Sequence, residues 1–199
     1  MKRPIAELLT LQLKPDAASE HRQAEQETWQ ILRRKQGYVT HRIYQYASDP
    51  LQWLVYSEWE SKKVVDGARQ HLQATPLGRR ARATLAKSPQ RLILDLVGPV
   101  TSTKGLDLPE SAVAATMMKR LPDDASTWHE REARLWMALS KQAGHITHVL
   151  FRGFDDPLLV GSLSHWSDAS ALDAALAHMN SIDGPPHDLT CLRYTPLRD

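Results

Sequence analysis

His41 and His148 each end the same kind of tripeptide, Val-Thr-His and Ile-Thr-His, and each is followed at an equal distance by a tryptophan, Trp59 or Trp166. An imidazole can take a proton near neutral pH. An indole can form the flat wall on which an aromatic molecule stacks. Together they would suit proton abstraction from a small, flat substrate. Each also has a structural alternative. His41 shares a strand face with Val39 and Ile43, and His148 with Ile146 and Leu150, so both could be core histidines. The tryptophans stand where a strand meets a helix and could be core anchors. Asp95 breaks the apolar run LILDLV. A buried aspartate is costly unless paired, so it is expected to face a wet cavity or meet an arginine such as Arg193. His71 and His178 have no partner at ligand spacing, so no metal site is expected.

These residues come in pairs because the sequence repeats. Residues 15–71 align with 122–178 at a constant offset of 107, with identity at 18 of 57 positions and no gap. The pairs include His41/His148, Trp59/Trp166, Trp29/Trp136, Glu25/Glu132 and Gly37/Gly144. Such self-similarity marks a duplicated unit. Each copy reads strand, helix, strand, strand, helix, strand. The strands are expected near 5–13, 38–46, 52–59 and 91–97, and again near 111–119, 145–152, 158–166 and 189–195. Pro15-Asp16 and Pro122-Asp123 are expected to open the first helix of each copy. Gly37 and Gly144 are expected at its C′ position, and the Asp-Pro steps at 49–50 and 156–157 in turns. Ser61 and Ser167 or Asp168 should cap the second helix. Trp29 and Trp136 should pack their helix against the sheet.

The fold class is therefore α+β: two tandem ferredoxin-like βαββαβ repeats, 1–98 and 111–199, joined by a Gly/Pro/Ser/Thr-rich linker at 99–110. ELLTLQL and LILDLV are nearly continuous apolar runs, which implies sheets covered on both faces. Helices would cover one face and the other copy's sheet the second, giving an intramolecular pseudo-dimeric barrel with a cavity expected between the sheets. Trp53, Tyr56 and Glu58 are expected in that interior, where the second copy has Val160, Leu163 and His165. The half-sites should therefore differ.

Bulk properties narrow the function. Twenty-five lysines and arginines against 23 acids give a net charge of +2, which provides no general drive toward nucleic acid or an anionic membrane. The basic segment GRRARATLAKSPQR, 78–91, could bind an anionic ligand or RNA, but such a segment is more often a solvated helix face, and it lacks interleaved aromatics. One cysteine, Cys191, suits a reducing compartment, so a cytoplasmic location is expected. The N-terminal MKRPIAELLTLQLKP reads as a strand rather than a signal peptide. No glycine-rich nucleotide fingerprint occurs, and no cofactor is expected.

The segments LKPDAASE, QGYVTHRIYQYASDP and VYSEWESKKVVDGARQH, with their echoes in the second copy, resemble the antibiotic biosynthesis monooxygenase family of the dimeric α+β barrel superfamily. The resemblance implies a family dimer fused into one chain. It also implies cofactor-independent oxygenation or isomerisation of a small aromatic or quinol-like substrate. In the family's anthrone oxygenases a tryptophan acts with an asparagine four residues before it and a tyrosine six after. Trp59 and Trp166 match the tryptophan, but the other positions hold Val55 and Val65, or Ser162 and Leu172. A substrate-binding arginine on the second helix would correspond to Arg79 or Arg82. The haem-degrading branch needs an asparagine on the first strand, where Glu7 stands, and a tryptophan where Ala68 stands.

The expected site is thus His41 or His148 as base, Trp59 or Trp166 as wall, Arg79 or Arg82 for the substrate anion, and Asp95 in the pocket. The alternative is a non-catalytic module for a small ligand, haem included, or a decayed enzyme of the same fold. The expected partner is a small apolar or aromatic ligand, with neither nucleic acid nor membrane, bound by a monomeric pseudo-dimer or a homodimer.

Overall fold

The computed structural model describes residues 4–97, 102–121, 128–183 and 190–197. The first repeat contains β1 (Ile5–Gln12), α1 (Ala18–Leu32), β2 (Tyr38–Tyr46), β3 (Asp49–Trp59), α2 (Lys62–Ala74), α3 (Pro76–Ala83) and β4 (Gln90–Val97). The second contains β5 (Val113–Arg120), α4 (Trp128–Leu139), β6 (His145–Gly153), β7 (Leu159–Trp166), α5 (Ala169–Asp183) and β8 (Thr190–Leu197). Compact units divide the chain into Met1–Leu94 with Leu197–Asp199, and Asp95–Pro196. The strands follow the closed order β1-β3-β2-β8-β5-β7-β6-β4, an antiparallel barrel. Each repeat contributes the ferredoxin-like order expected from its sequence, β4-β1-β3-β2 and β8-β5-β7-β6.

In the first unit, β1 pairs with β3 in the register Ile5↔Trp59 through Gln12↔Gln52. Side chains alternate across a strand. Trp53, Val55 and Trp59 therefore share one face of β3, and they pack with Trp29 and Leu32 of α1 and Val65, Ala68 and Leu72 of α2. Ala6 and Leu8, on the opposite face of β1, are equally buried, as the unbroken apolar run requires. Trp53 is the exception to the expected interior set. Its odd position puts it on the helix face, where it meets His21 edge-on at 5.2 Å. Tyr56 and Glu58 take the other face and bond to each other at 2.8 Å.

Helix boundaries differ from expectation in ways that local chemistry explains. Pro15-Asp16 does not open α1: Asp16 has φ 61, a left-handed turn, and the helix begins at Ala18. Pro122-Asp123 lies outside the described residues. Gly37 and Gly144 have φ +83 and +81, as left-handed glycines should, but they end the turns leading into β2 and β6 rather than capping the helices. Asp49-Pro50 lies within β3, so the β2–β3 turn is only Ala47-Ser48. Ser61 caps α2 as expected, accepting from the Val64 N–H. In the second unit Asp168 Oδ1 accepts from the Ala171 N–H at 2.9 Å.

The largest departure is α3. Pro76 forces Thr75 into an extended conformation (φ −85, ψ 157), which ends α2. The Thr75 hydroxyl then accepts from the Gly78 N–H at 3.0 Å and starts a new helix with proline in its first turn. Arg79 and Arg82 therefore stand on a separate helix rather than on the second.

Candidate functional site

Glu7 is fully buried on β1. An unpaired carboxylate there would be strongly unfavourable, and three elements supply its partners. Arg69 of α2 donates to Oε2 through Nε at 2.9 Å and Nη2 at 2.6 Å. Arg91 of β4 donates to Oε1 at 2.6 Å. Ser57 of β3 donates to Oε2 at 3.2 Å. Arg91 also pairs with Asp66 at 2.8 Å, and Arg69 lies 5.3 Å over the Trp29 ring.

This cluster forms one side of a cavity of about 220 Å³ inside the first unit, between the sheet and helices α1, α2 and α3. Leu9, Leu11, Leu72 and Leu85 supply apolar wall, and His21, Glu25 and Arg82 add polar groups. The formal charge of the lining is three arginines against two carboxylates. Arg69 and Arg91 are committed to Glu7. Among the described residues no acid pairs with Arg82, which is exposed.

His21 and Glu25 lie one turn apart on α1. His21 Nδ1 is 2.7 Å from the Thr84 hydroxyl, and that hydroxyl bonds the Ala81 carbonyl at 2.6 Å. His21 Nε2 is buried without a hydrogen-bond partner, 3.6 Å from Glu25 Oε1. Glu25 Oε2 accepts from the Trp29 indole at 2.8 Å. Burial pushes the His21 imidazole below its ordinary pKa, and Glu25 opposes the shift only in part. His21 is therefore neutral at neutral pH.

His41 is buried, stacks on Trp29 at 4.0 Å between centroids, and bonds the Tyr38 hydroxyl through Nδ1 at 2.7 Å. His148 stacks on Trp136 at 4.5 Å, and its Nδ1 is 3.2 Å from His145 Nε2. Burial and the neighbouring His145 push the His148 pKa down to about 4. Neither His41 nor His148 reaches the 220 Å³ cavity. Trp59 and Trp166 are core residues whose indoles donate to Ser57 and Ser164 two residues earlier on the same strand. Trp59 thus touches the cavity only through Ser57 and Glu7. Arg79 donates to the Ala74 carbonyl at 3.2 Å, while Arg82 lines the cavity. Asp95 meets Arg152 at 3.7 Å rather than Arg193, which pairs with Asp173. Arg152, on β6, reaches Asp95 first, and α5 holds Arg193.

Sequence reasoning missed Glu7, His21, Arg69 and Arg91 as site residues. The spacing His21, Glu25, Trp29 marks one helix face and could have signalled the first part. The second copy carries Trp128 at the place of His21 and Leu176 at that of Arg69. Ala115, paired with Ser164 as Glu7 pairs with Ser57, replaces the carboxylate. That unit instead has a cavity of about 280 Å³ lined by Trp136, Met137, His145 and His148 on α4 and β6. Both cavities thus lie on the helix side within a single unit. Among the described residues no group of three or more potential ligands could hold a metal ion, and no helix is long and apolar enough to cross a membrane.

Solved structures share this architecture. A candidate monooxygenase of Fusobacterium nucleatum superposes with a TM-score of 0.73 at 8% identity, covering 98% of this chain and 93% of its own. An anthrone oxidase-like protein gives 0.67 at 11% identity, with 98% and 92% covered. A chlorite dismutase from Candidatus Nitrospira defluvii gives 0.63 at 11% identity, with 100% and 93% covered. At such identities the likeness is one of fold. No curated protein matches the sequence. Residues 4–76, which contribute most of the cavity lining, match the model of the antibiotic biosynthesis monooxygenase family.

Proposed function

We propose that the chain is a cofactor-independent monooxygenase acting on a one- or two-ring aromatic quinol in the first-repeat cavity. The observation that carries this reading is the cavity itself: an apolar slot with an uncommitted cation, Arg82, beside a fixed carboxylate–arginine cluster. A cavity of about 150 Å³ accepts benzene, so 220 Å³ suits a substituted ring. In such a reaction the substrate loses a proton to the protein, and its anion reduces dioxygen. One oxygen atom forms a new C–O bond and the O–O bond breaks. The other atom leaves as water, and the quinol becomes a hydroxyquinone after losing four electrons. Oriented charges beside an apolar wall favour the anion.

In this reading the repeats at 1–98 and 111–199, joined by 99–110, have divided their roles, and the second repeat serves the barrel rather than catalysis. The protein works in the cytoplasm on a small apolar or aromatic ligand, without nucleic acid or membrane, as a monomeric pseudo-dimer or a homodimer. Val55 and Val65, in place of the asparagine and tyrosine of the family's anthrone oxygenases, favour a second reading, a binding module without turnover.

The test is oxygen uptake with 1,4-naphthohydroquinone under labelled dioxygen. One labelled atom in the hydroxyquinone, and a KM raised about tenfold in Arg82→Ala with unchanged thermal stability, are expected. Saturable quinol binding without uptake would select the binding module, and neither binding nor uptake would refute both readings.

A further inference from the structure

The structure assigns the acid–base step of the first-repeat cavity to the pair Glu25–His21, with Thr84 fixing the imidazole tautomer. The assignment rests on reading that cavity as catalytic.

The protons can be placed from the hydrogen bonds. The Thr84 hydroxyl has one hydrogen, and the 2.6 Å approach to the Ala81 carbonyl requires it. Thr84 can then only accept from His21, so Nδ1 carries the imidazole proton at 2.7 Å. In the neutral ring Nε2 is left with a lone pair. That lone pair is buried, unpartnered and 3.6 Å from Glu25 Oε1. Two facing lone pairs repel each other, and one shared proton turns the repulsion into a hydrogen bond. The geometry is thus arranged to accept a proton.

Other lining groups are less suited. The Glu7 carboxylate already accepts from Arg69, Arg91 and Ser57. Arginines do not give up their protons. Glu25 is different: Oε2 is held by the Trp29 indole, while Oε1 faces His21. The carboxylate is fixed at one oxygen and available at the other, as positioned bases are. The second copy keeps the carboxylate as Glu132 but has Trp128 in place of His21. An indole only donates, so that copy has no proton store behind its glutamate.

The step follows. The O–H bond of a quinol breaks, its proton passes to Glu25 Oε1, and the electron pair stays on the substrate oxygen beside Arg82. The proton moves on to His21 Nε2, forming an imidazolium that faces the restored Glu25 carboxylate. The same proton later returns to the oxygen that leaves as water, whose second proton is the one lost when the C–H bond of the newly oxygenated carbon breaks. His21 thus acts as a positioning and storage residue behind Glu25. The charged groups around the pair are Glu7 on β1, Arg69 on α2, Arg82 on α3 and Arg91 on β4.

Nitrogen-15 NMR of the full-length protein tests the assignment, with His21 identified by its loss in His21→Gln. Nδ1 should stay protonated across the titration while Nε2 alone gains a proton on acidification. Glu25→Gln should lower the midpoint of Nε2 by about half a unit or more, because a neighbouring anion raises it. A neutral ring protonated at Nε2, or a midpoint indifferent to Glu25→Gln, would overturn the assignment. In oxygen uptake with naphthohydroquinone, Glu25→Gln should lower kcat about 100-fold or more with KM changed less than about threefold. An unchanged kcat would also overturn it. A wild-type protein that consumes no oxygen would sink the oxygenase reading alone, and the NMR result would then decide the pair.

Discussion

Replacing Arg69 by leucine, the residue that the second copy holds at position 176, isolates the energetics of the buried cluster. Arg69 supplies two of the donors to Glu7, whose carboxylate has no exposure to solvent, and its own side chain is 13% exposed. Without it Glu7 keeps Arg91 and Ser57 only. Removing one partner from a buried ion pair costs about 3–5 kcal/mol, mostly because the remaining charge is left short of partners. In a chain of this size each kcal/mol moves Tm by about 2–4 °C, so Arg69→Leu should lower it by roughly 10 °C. Glu7→Ala, which copies Ala115, should destabilise comparably by stranding Arg69. The double variant removes both charges together, and Arg91 retains Asp66 and is 34% exposed. The double should therefore be more stable than the sum of the singles by about 2–3 kcal/mol. Urea unfolding followed by tryptophan fluorescence measures all four proteins. Singles that add within about 0.5 kcal/mol, or an Arg69→Leu cost below about 1 kcal/mol, would refute the claim that this cluster is one coupled unit.

Two glycines of the first repeat should respond oppositely to alanine. At Gly37, with φ +83, a Cβ would stand 3.0 Å from the Val64 side chain, so Gly37→Ala should lose about 1–2 kcal/mol or more. At Gly67, within α2, a Cβ meets nothing within 4 Å, and Gly67→Ala should gain about 0.5–1 kcal/mol; thermal melts read both. Acid should weaken the second unit through His148. Its folded pKa of about 4 lies below the unfolded value of 6.5, so its contribution is complete above pH 6.5 and fades as pH falls toward 4. The loss should approach about 3 kcal/mol. His148→Gln should flatten that part of the pH dependence of urea midpoints, with His145 the nearest titrating neighbour.

The fold was legible because its signals are local or repeated. The offset of 107 marks the self-similarity, and β2 spans the expected 38–46. The elements that escaped had signals overridden nearby. Thr75-Pro76 spells a cap and a first turn, and it separates Arg79 and Arg82 from the second helix on which the resemblance places them. Trp53 parts from Tyr56 and Glu58 because strand alternation separates odd from even positions. The site was less legible for a deeper reason. Glu7 meets Arg69 and Arg91 across 62 and 84 residues of sequence. No spacing rule links a strand residue to a helix residue in another quarter of the repeat. His41 and His148, present in both copies, stack on tryptophans, whereas His21, which has no copy, lines the cavity.

The Glu7 cluster also bears on how the protein is made. Its members come from the first strand, the second helix and the last strand of the repeat, so a ribosome must release residue 91 before the carboxylate at residue 7 has all its partners. Until then Glu7 has reason to stay in water, which opposes burial of the strand that carries it. The first repeat should therefore close late and all at once, with no half-built cavity persisting along the way. The second repeat, with alanine and leucine at the matching places, meets no such condition and is free to settle as it emerges.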